Sequence, residues 1–281
     1  MKIQKIKIIV SLFFITIVLL IGCTRKEENN NSNVTTPSGS VTVSGSTSVG
    51  PLMEKEAEKF KEKNSGTNVE INQIGSSAGI KDAINGTVEI GMSSRDLKEE
   101  EIAEGLVEVE IAFDGMAVIT SKNNNIDSLT LKQIKDIYTG KITNWKEVGG
   151  KNSQVVVVSR EDGSGTRDAF QEIVGYTSEE LFKEAIIGDG SGNIKTTVAG
   201  NNHAIGFISF EYIDESVNAV KIDNISPNAE NVKSGKYKLS RPFLLVYKEE
   251  NLKENGNKLI DFILSEEGQN IVEESGLIRI N

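Results

Sequence analysis

The stretch from Ser159 to Ile173, SREDGSGTRDAFQEI, sets Gly163, Ser164, Gly165 and Thr166 between Arg160 and Arg167 and then turns amphipathic. Hydroxyls and guanidinium groups at a glycine-rich turn can house a nucleophilic serine, cradle an oxyanion, or simply cap a helix. Nucleophilic catalysis asks for a G-x-S-x-G elbow and a general base within reach of the serine. Asp162 stands where the first elbow glycine belongs, and the sole histidine, His203, lies in the loop AGNNHAIGF. A secreted serine hydrolase or phosphatase using Ser164 is therefore the weakest reading. A P-loop asks for Gly-Lys followed by Ser or Thr. Gly140-Lys141, Gly150-Lys151 and Gly235-Lys236 are followed by Ile142, Asn152 and Tyr237, so no nucleotide cradle is present. One histidine excludes a histidine-rich metal site and leaves an all-oxygen Ca²⁺ site open, although the acidic, turn-like NNNIDSL lacks the EF-hand spacing.

Three times the chain runs from a strand-like segment through a Gly/Ser/Thr turn into a helical pattern: VSGSTSVGPL, QIGSSAGIKD and SREDGSGTRDAF. The first N–H groups of a helix have no partner within it and carry the positive end of its dipole, so they attract anions. Glycine lets the backbone approach closely, and Ser and Thr hydroxyls add donors. Any one such turn is ordinarily just a helix cap. Three in one chain, the third flanked by Arg160 and Arg167, point to convergence on one small oxyanion.

The elements that must position these turns follow an α/β scheme from Val41 onward. VTVSG, NVEINQIG and VEIGMSS read as strands, and MEKEAEKFKEK and AGIKDAING as helices. EIAEGLVEVEIAFDGMAVITS reads as largely β, and TLKQIKDIYTG as a helix with Leu131, Ile134, Ile137 and Tyr138 at helical spacing. QVVVVSR is apolar throughout its centre, as a strand covered on both faces is. Further on, TRDAFQEIVG, SEELFKEAI and NGNKLIDFILSEEGQNIVEESG read as helices, and AIGFISFEYI and PFLLVYK begin as or form strands. The acidic KEEEIAEG reads as a solvated face.

With 281 residues, 37% hydrophobic and 26% charged, the chain can bury one large core or two modest ones. Lys2, Lys5 and Lys7 precede an apolar run from Ile8 to Ile21, shorter than the ~18 residues that span a bilayer, so residues 1–22 read as a secretory signal. Cys23 is the only cysteine, which rules out an internal disulfide, and its LLIGC context looks like the lipobox at which bacterial lipoproteins are cleaved and acylated. A diacylated Cys23 would hold the chain at a membrane, with residues 23–40 as a polar tether. Loss of the signal moves the formal charge from −10 to −13. That balance argues against a nucleic-acid partner and demands that any anion be captured by local donors against the overall field.

Four segments in order, GSTSVGPLMEKEAEKF, GSSAGIKDAINGTVEIGMSSRDL, LKQIKDIYTGKITNW and SREDGSGTRDAF, closely resemble the periplasmic or lipid-anchored phosphate-binding proteins of high-affinity phosphate ABC transporters. The likeness spans Val41 to Gly276. It implies an α/β, two-lobed periplasmic-binding-protein (Venus flytrap) fold of type II-like topology. Two crossover strands would fall near Ala117–Ser121 and Arg241–Val246. Lobe 1 would hold residues 41–118 and 243–281, and lobe 2 residues 119–242. It also implies a monomeric, non-enzymatic receptor without cofactor or metal that delivers inorganic phosphate to an ABC permease and ATPase complex. The Lys/Asn/Ile-rich composition fits a Gram-positive cell surface.

By the same resemblance Thr47, Ser48 and Ser76 would donate to phosphate from one lobe. Ser164, Gly165 and Thr166 would donate from the other. Arg160 would make a charge-assisted contact, with Asp162 orienting its guanidinium. Many relatives carry an aspartate where this chain has Ser94, and that carboxylate accepts a hydrogen bond from protonated phosphate. Its absence leaves Asp114, in AFDGMAV, as the expected substitute, with a simple turn role before Gly115 as the alternative. Arg95 is expected either to touch the ligand or to pair with a nearby acid. A pocket of donors alone would suit a proton-free oxyanion such as sulfate or molybdate.

Overall fold

A computed structural model describes residues 39–281, which lie in one compact unit. The expected signal, Cys23 and the tether up to residue 38 lie outside the described residues. The chain opens with β1 (Gly39–Gly45), α1 (Gly50–Lys63), β2 (Thr67–Gln73), α2 (Ser76–Ile84), β3 (Ile90–Ser93) and the short α3 (Glu99–Ile102). The long β4 (Val107–Ser121) leads into β5 (Ser128–Leu129), α4 (Leu131–Tyr138), β6 (Val156–Arg160), α5 (Gly165–Val174), β7 (Ile186–Gly188) and α6 (Gly190–Ala199). Then come β8 (Ala204–Ser209), β9 (Val217–Ala219), β10 (Lys221–Ile222) and α7 (Ala229–Lys233). β11 (Ser240–Tyr247) returns the chain, which ends in α8 (Glu254–Leu264) and α9 (Glu266–Glu274).

The main sheet runs β2-β1-β3-β11-β4-β8-β6-β7, with β9 also pairing with β4. β1 is parallel to β2 and β3, and β6 is parallel to β7 and β8, as helical crossovers require. β11 is antiparallel to both β3 and β4, and β4 is antiparallel to β8. Two strands therefore join two α/β halves, each with its own core. Val41, Leu52, Phe60, Ile90, Ile111, Ala112, Phe243, Leu245, Leu259 and Val272 belong to the first core. Met116, Val118, Tyr138, Trp145, Val158, Phe170, Phe207 and Leu239 belong to the second. β4 thus changes core between Ala112 and Met116, earlier than the Ala117–Ser121 anticipated, and β11 makes the return between Leu239 and Phe243.

Local chemistry accounts for the helices that matter. Thr130 caps α4, its hydroxyl accepting from the Gln133 N–H while the Gln133 carbonyl oxygen accepts from the Thr130 N–H at 2.8 Å, and Ile134, Ile137 and Tyr138 face inward. α5 starts at Ser164, whose Oγ accepts from the Arg167 N–H, and stops at Gly175 in the left-handed region at φ 84°. One expected helix fails. SEELFKEAI forms only a single 3₁₀ turn at Ser178–Glu180, after which Ile186–Gly188 extend as β7, because the open edge of β6 supplies backbone partners from Val158 to Arg160.

Glu56 on α1 is fully buried, and neither carboxyl oxygen has a hydrogen-bond partner among the described residues. Burial, helped by the nearby Glu267 charge, pushes this carboxyl up from its ordinary 4.5 to about 8. Between those two values the folded chain keeps a proton that the unfolded chain releases. Stability is therefore greatest below the lower value and is lost as pH rises to the upper one, at about 1.4 kcal/mol per unit. Glu56→Gln is expected to remove that slope. Urea melts at a series of pH values should show the variant gaining on the parent from about pH 4.5 to 8.

Candidate functional site

The β1–α1 turn delivers Ser46, Thr47 and Ser48 to the seam between the two cores. Ser46 Oγ accepts from the Ser48 and Val49 N–H groups at 3.1 and 3.3 Å, so its own proton goes to Ser94 Oγ at 2.9 Å. The β2–α2 turn brings Ser76, whose Oγ accepts from the Ser94 N–H at 3.1 Å and lies 3.3 Å from Ser94 Oγ. From the second half, the β6–α5 turn presents Ser164, Gly165 and Thr166. Ser48 Oγ meets Thr166 Oγ1 at 2.9 Å and Ser191 Oγ at 3.0 Å. Arg160, at the end of β6, donates to Thr166 Oγ1 and Ser191 Oγ at 3.3 Å each and to Thr47 Oγ1 at 3.0 Å.

Close approach at this seam depends on glycine. A Cβ at Gly165 would lie 2.3 Å from Ser76 Oγ and 2.9 Å from Ser94 Oγ, well inside van der Waals contact. Backbone also bridges the halves, with the Ser77 N–H donating to Gly163 O at 3.1 Å, and the Tyr212 hydroxyl donating to Thr47 O at 2.8 Å. Ser46, Ser48, Ser76, Ser94, Ser164, Thr166, Ser191 and Arg160 are all buried. The result is a dry cluster of hydroxyls and one guanidinium at the starts of four helices, α1, α2, α5 and α6. Such a cluster can bind an oxyanion with many hydrogen bonds of modest individual strength.

The structure brings Thr47, Ser48, Ser76, Ser94, Arg160, Ser164, Gly165 and Thr166 together. Three expectations change. Asp162 does not orient Arg160: it is exposed and pairs with Arg167 Nη1 at 2.6 Å. Glu161 takes that part, receiving Arg160 Nε at 2.7 Å and Nη2 at 2.6 Å and also accepting from the Gly190 N–H. Burial works to raise the Glu161 carboxyl, and the Arg160 pair outweighs it and holds the group below its ordinary value.

Arg95 is not free to reach a ligand, because its five N–H donors go to Asp168, Asp96 O, Ser77 and both oxygens of Glu101. Asp114 is fully buried with both oxygens engaged. Oδ1 accepts from the Ser209 hydroxyl and the Phe210 N–H, and Oδ2 accepts from Arg241 Nε and Nη2 at 3.1 and 2.8 Å. Arg241 in turn donates to Ser94 O. Asp114 therefore pins the point where β4 and β11 cross between the cores, rather than presenting a lone pair to a guest.

Ser164 caps α5 in a buried position while His203 is exposed, and the Ser164 hydroxyl accepts from the Arg167 N–H. Sequence reasoning missed Ser191 and Ser46. A signal for the first was present, since the tetrapeptide DGSG occurs both at Asp162–Gly165 and at Asp189–Gly192.

The profile of the PBP superfamily domain matches residues 30–267. Phosphate-binding protein PstS of Bacillus subtilis is 34% identical over 247 residues, covering 86% of this chain and 81% of the relative. The chain belongs to the PstS family of the PBP superfamily. A second PstS, from Borreliella burgdorferi, is 30% identical over 98% of this chain and 99% of its own. Among solved structures, a candidate phosphate ABC transporter substrate-binding protein with bound phosphate from Clostridium perfringens matches with 66% identity and a TM-score of 0.85. It covers 86% of this chain and 100% of that one. An ABC-type phosphate transport receptor from Vibrio cholerae matches with 37% identity and a TM-score of 0.73 over 85% of this chain and 99% of its own.

In this chain burial pushes the Asp114 carboxyl up from its ordinary value, while Arg241, Ser209 and Phe210 oppose that by donating to the charged form. Losing one member of a buried pair strands the other and costs about 3–5 kcal/mol. Asp114→Asn is accordingly expected to lower the denaturation midpoint strongly. Calorimetric phosphate affinity of the fraction that stays folded is expected to change less than about threefold, less than one neutral hydrogen bond is worth.

Proposed function

We propose that this PstS-family chain captures inorganic phosphate outside the cell and delivers it to the permease of an ABC transporter. The observation that carries the reading is the buried seam at which hydroxyls from both halves and Arg160 converge at four helix starts. The two cores act as lobes that hinge where β4 and β11 cross, at Phe113–Gly115 and Ser240–Pro242. Phosphate enters between them and is held by Thr47, Ser48, Ser76, Ser94, Ser164, Gly165, Thr166 and Arg160. Glu161 aims the guanidinium, and Ser191 adds a donor from α6.

Trapping, not turnover, is the task. Hinge closure exchanges the anion's water shell for fixed dipoles and slows escape. A formal charge of −10 for the whole chain repels anions at long range, so affinity rests on these short contacts. Residues 1–22 act as an export signal, acylated Cys23 holds the chain at the membrane of a Gram-positive cell surface, and the segment from there to residue 38 gives the receptor reach, ending two residues earlier than expected because Gly39 and Ser40 already pair with β2. It works as a monomer with its permease and ATPase complex.

A second reading has one specific support. Asp114 and Glu161 are already paired, and hydroxyls can accept as well as donate, so the site discriminates against proton-free oxyanions such as sulfate or molybdate less sharply than a free carboxylate would.

Isothermal titration is expected to show one phosphate per chain with weaker sulfate binding. Sulfate binding equal to or tighter than phosphate would transfer the assignment to the second reading. Hydrogen bonds to a charged group are worth about 1.5–3 kcal/mol each, so Arg160→Met is expected to weaken phosphate binding by roughly 100-fold or more. Cys23→Ala is expected to move the protein from the membrane fraction to the medium in a cell fractionation.

A further inference from the structure

Arg95 is buried, uses every donor it has, and touches no part of the hydroxyl cluster directly except through Ser77, whose backbone N–H meets Gly163 O. Four of its five hydrogen bonds stay within the first half: Asp96 O, Ser77 Oγ and both oxygens of Glu101 at 2.8 Å. The fifth crosses to the second half, where Nε donates to Asp168 Oδ2 at 3.0 Å. Asp168 lies in the first turn of α5, two residues beyond Thr166.

We propose that Arg95 is a positioning residue that clamps the ligand-binding start of α5 onto the first half through Asp168, so that it governs ligand retention without touching the ligand. The inference rests on the phosphate reading for its ligand but not for its geometry. Three features support it.

Glu101 grips the guanidinium from two sides, so Arg95 is set in place before the halves meet and loses little freedom on meeting Asp168. The Arg95 side chain is 6% exposed and that of Asp168 30%, so the cation is better shielded from water than in Lys55–Glu211, another ion pair between the halves, where Lys55 of α1 is 49% exposed. A carboxylate in the first turn of α5 also opposes any anion at that helix start, and pairing with Arg95 offsets its charge.

Because Glu101 stays with Arg95, removing the Asp168 charge orphans no buried group, and the variant is expected to fold. The test is stopped-flow phosphate release from the mature chain, with Asp168→Asn and Asp168→Glu compared to the parent. Asp168→Asn is expected to release phosphate about 3–10 times faster with association unchanged, the size of one partly buried pair, and Asp168→Glu is expected to restore at least half of the loss. Unchanged release in Asp168→Asn, or equal losses in both variants, overturns the clamp and leaves the phosphate assignment standing. Should the parent itself bind no phosphate, that assignment falls, and small-angle scattering of the ligand-free chains decides the clamp. An Asp168→Asn particle wider than the parent supports it, and one of equal size overturns it.

Discussion

A guanidinium and seven hydroxyl-bearing side chains lie buried between two apolar cores, and a polar group taken from water without a partner costs several kcal/mol. Every feature of the seam answers that cost. Arg160 finds Glu161, Thr47, Thr166 and Ser191, and Ser46, Ser76 and Ser94 donate to and accept from one another. Since the partners come from both halves, the arrangement is complete only when the halves meet. The same hydroxyls and guanidinium therefore hold the two halves together.

The sheet makes this possible mechanically. Parallel strands on each side end at the seam and hand over to helices there, so four helix starts point at one place. Among the described residues β4 runs through both cores and β11 enters the first directly after Leu239 of the second, and a buried ion pair, Asp114–Arg241, sits where they cross. Arg241 also holds Ser94 O, so the crossing and the site share a residue. The point where the chain passes from one core to the other is thereby tied to the buried hydroxyl cluster, while the flanking strands stay packed in their own cores.

Much of this could be read from residue types. The strand-turn-helix rhythm, the three Gly/Ser/Thr turns and Arg160 were visible because backbone periodicity and helix capping are local properties. The roles of the charged residues were not. Asp162 and Glu161 are neighbours in the chain, and which of them faces Arg160 depends on how the β6–α5 turn is twisted by Gly163 at φ 82°. Asp114 looked available because its partner, Arg241, lies far along the chain, and for Arg95 the alternative of a nearby acid holds through Glu101, while its fifth bond, to the remote Asp168, was not legible. β7 was read as a continuation of a helical pattern, since nothing in Ile186–Gly188 announces the open edge of β6.

The amino-acid sequence alone settled the α/β class, the turns at which helices begin and the kind of guest those turns suit, because dihedral preferences, caps and hydrophobic spacing act over a few residues. Tertiary structure decided which carboxylates are already spent on arginines, added Ser46 and Ser191 to the buried hydroxyl cluster, and placed the crossing between the cores. Ion pairing and desolvation depend on distances between residues remote in sequence, and those distances exist only once both cores have formed.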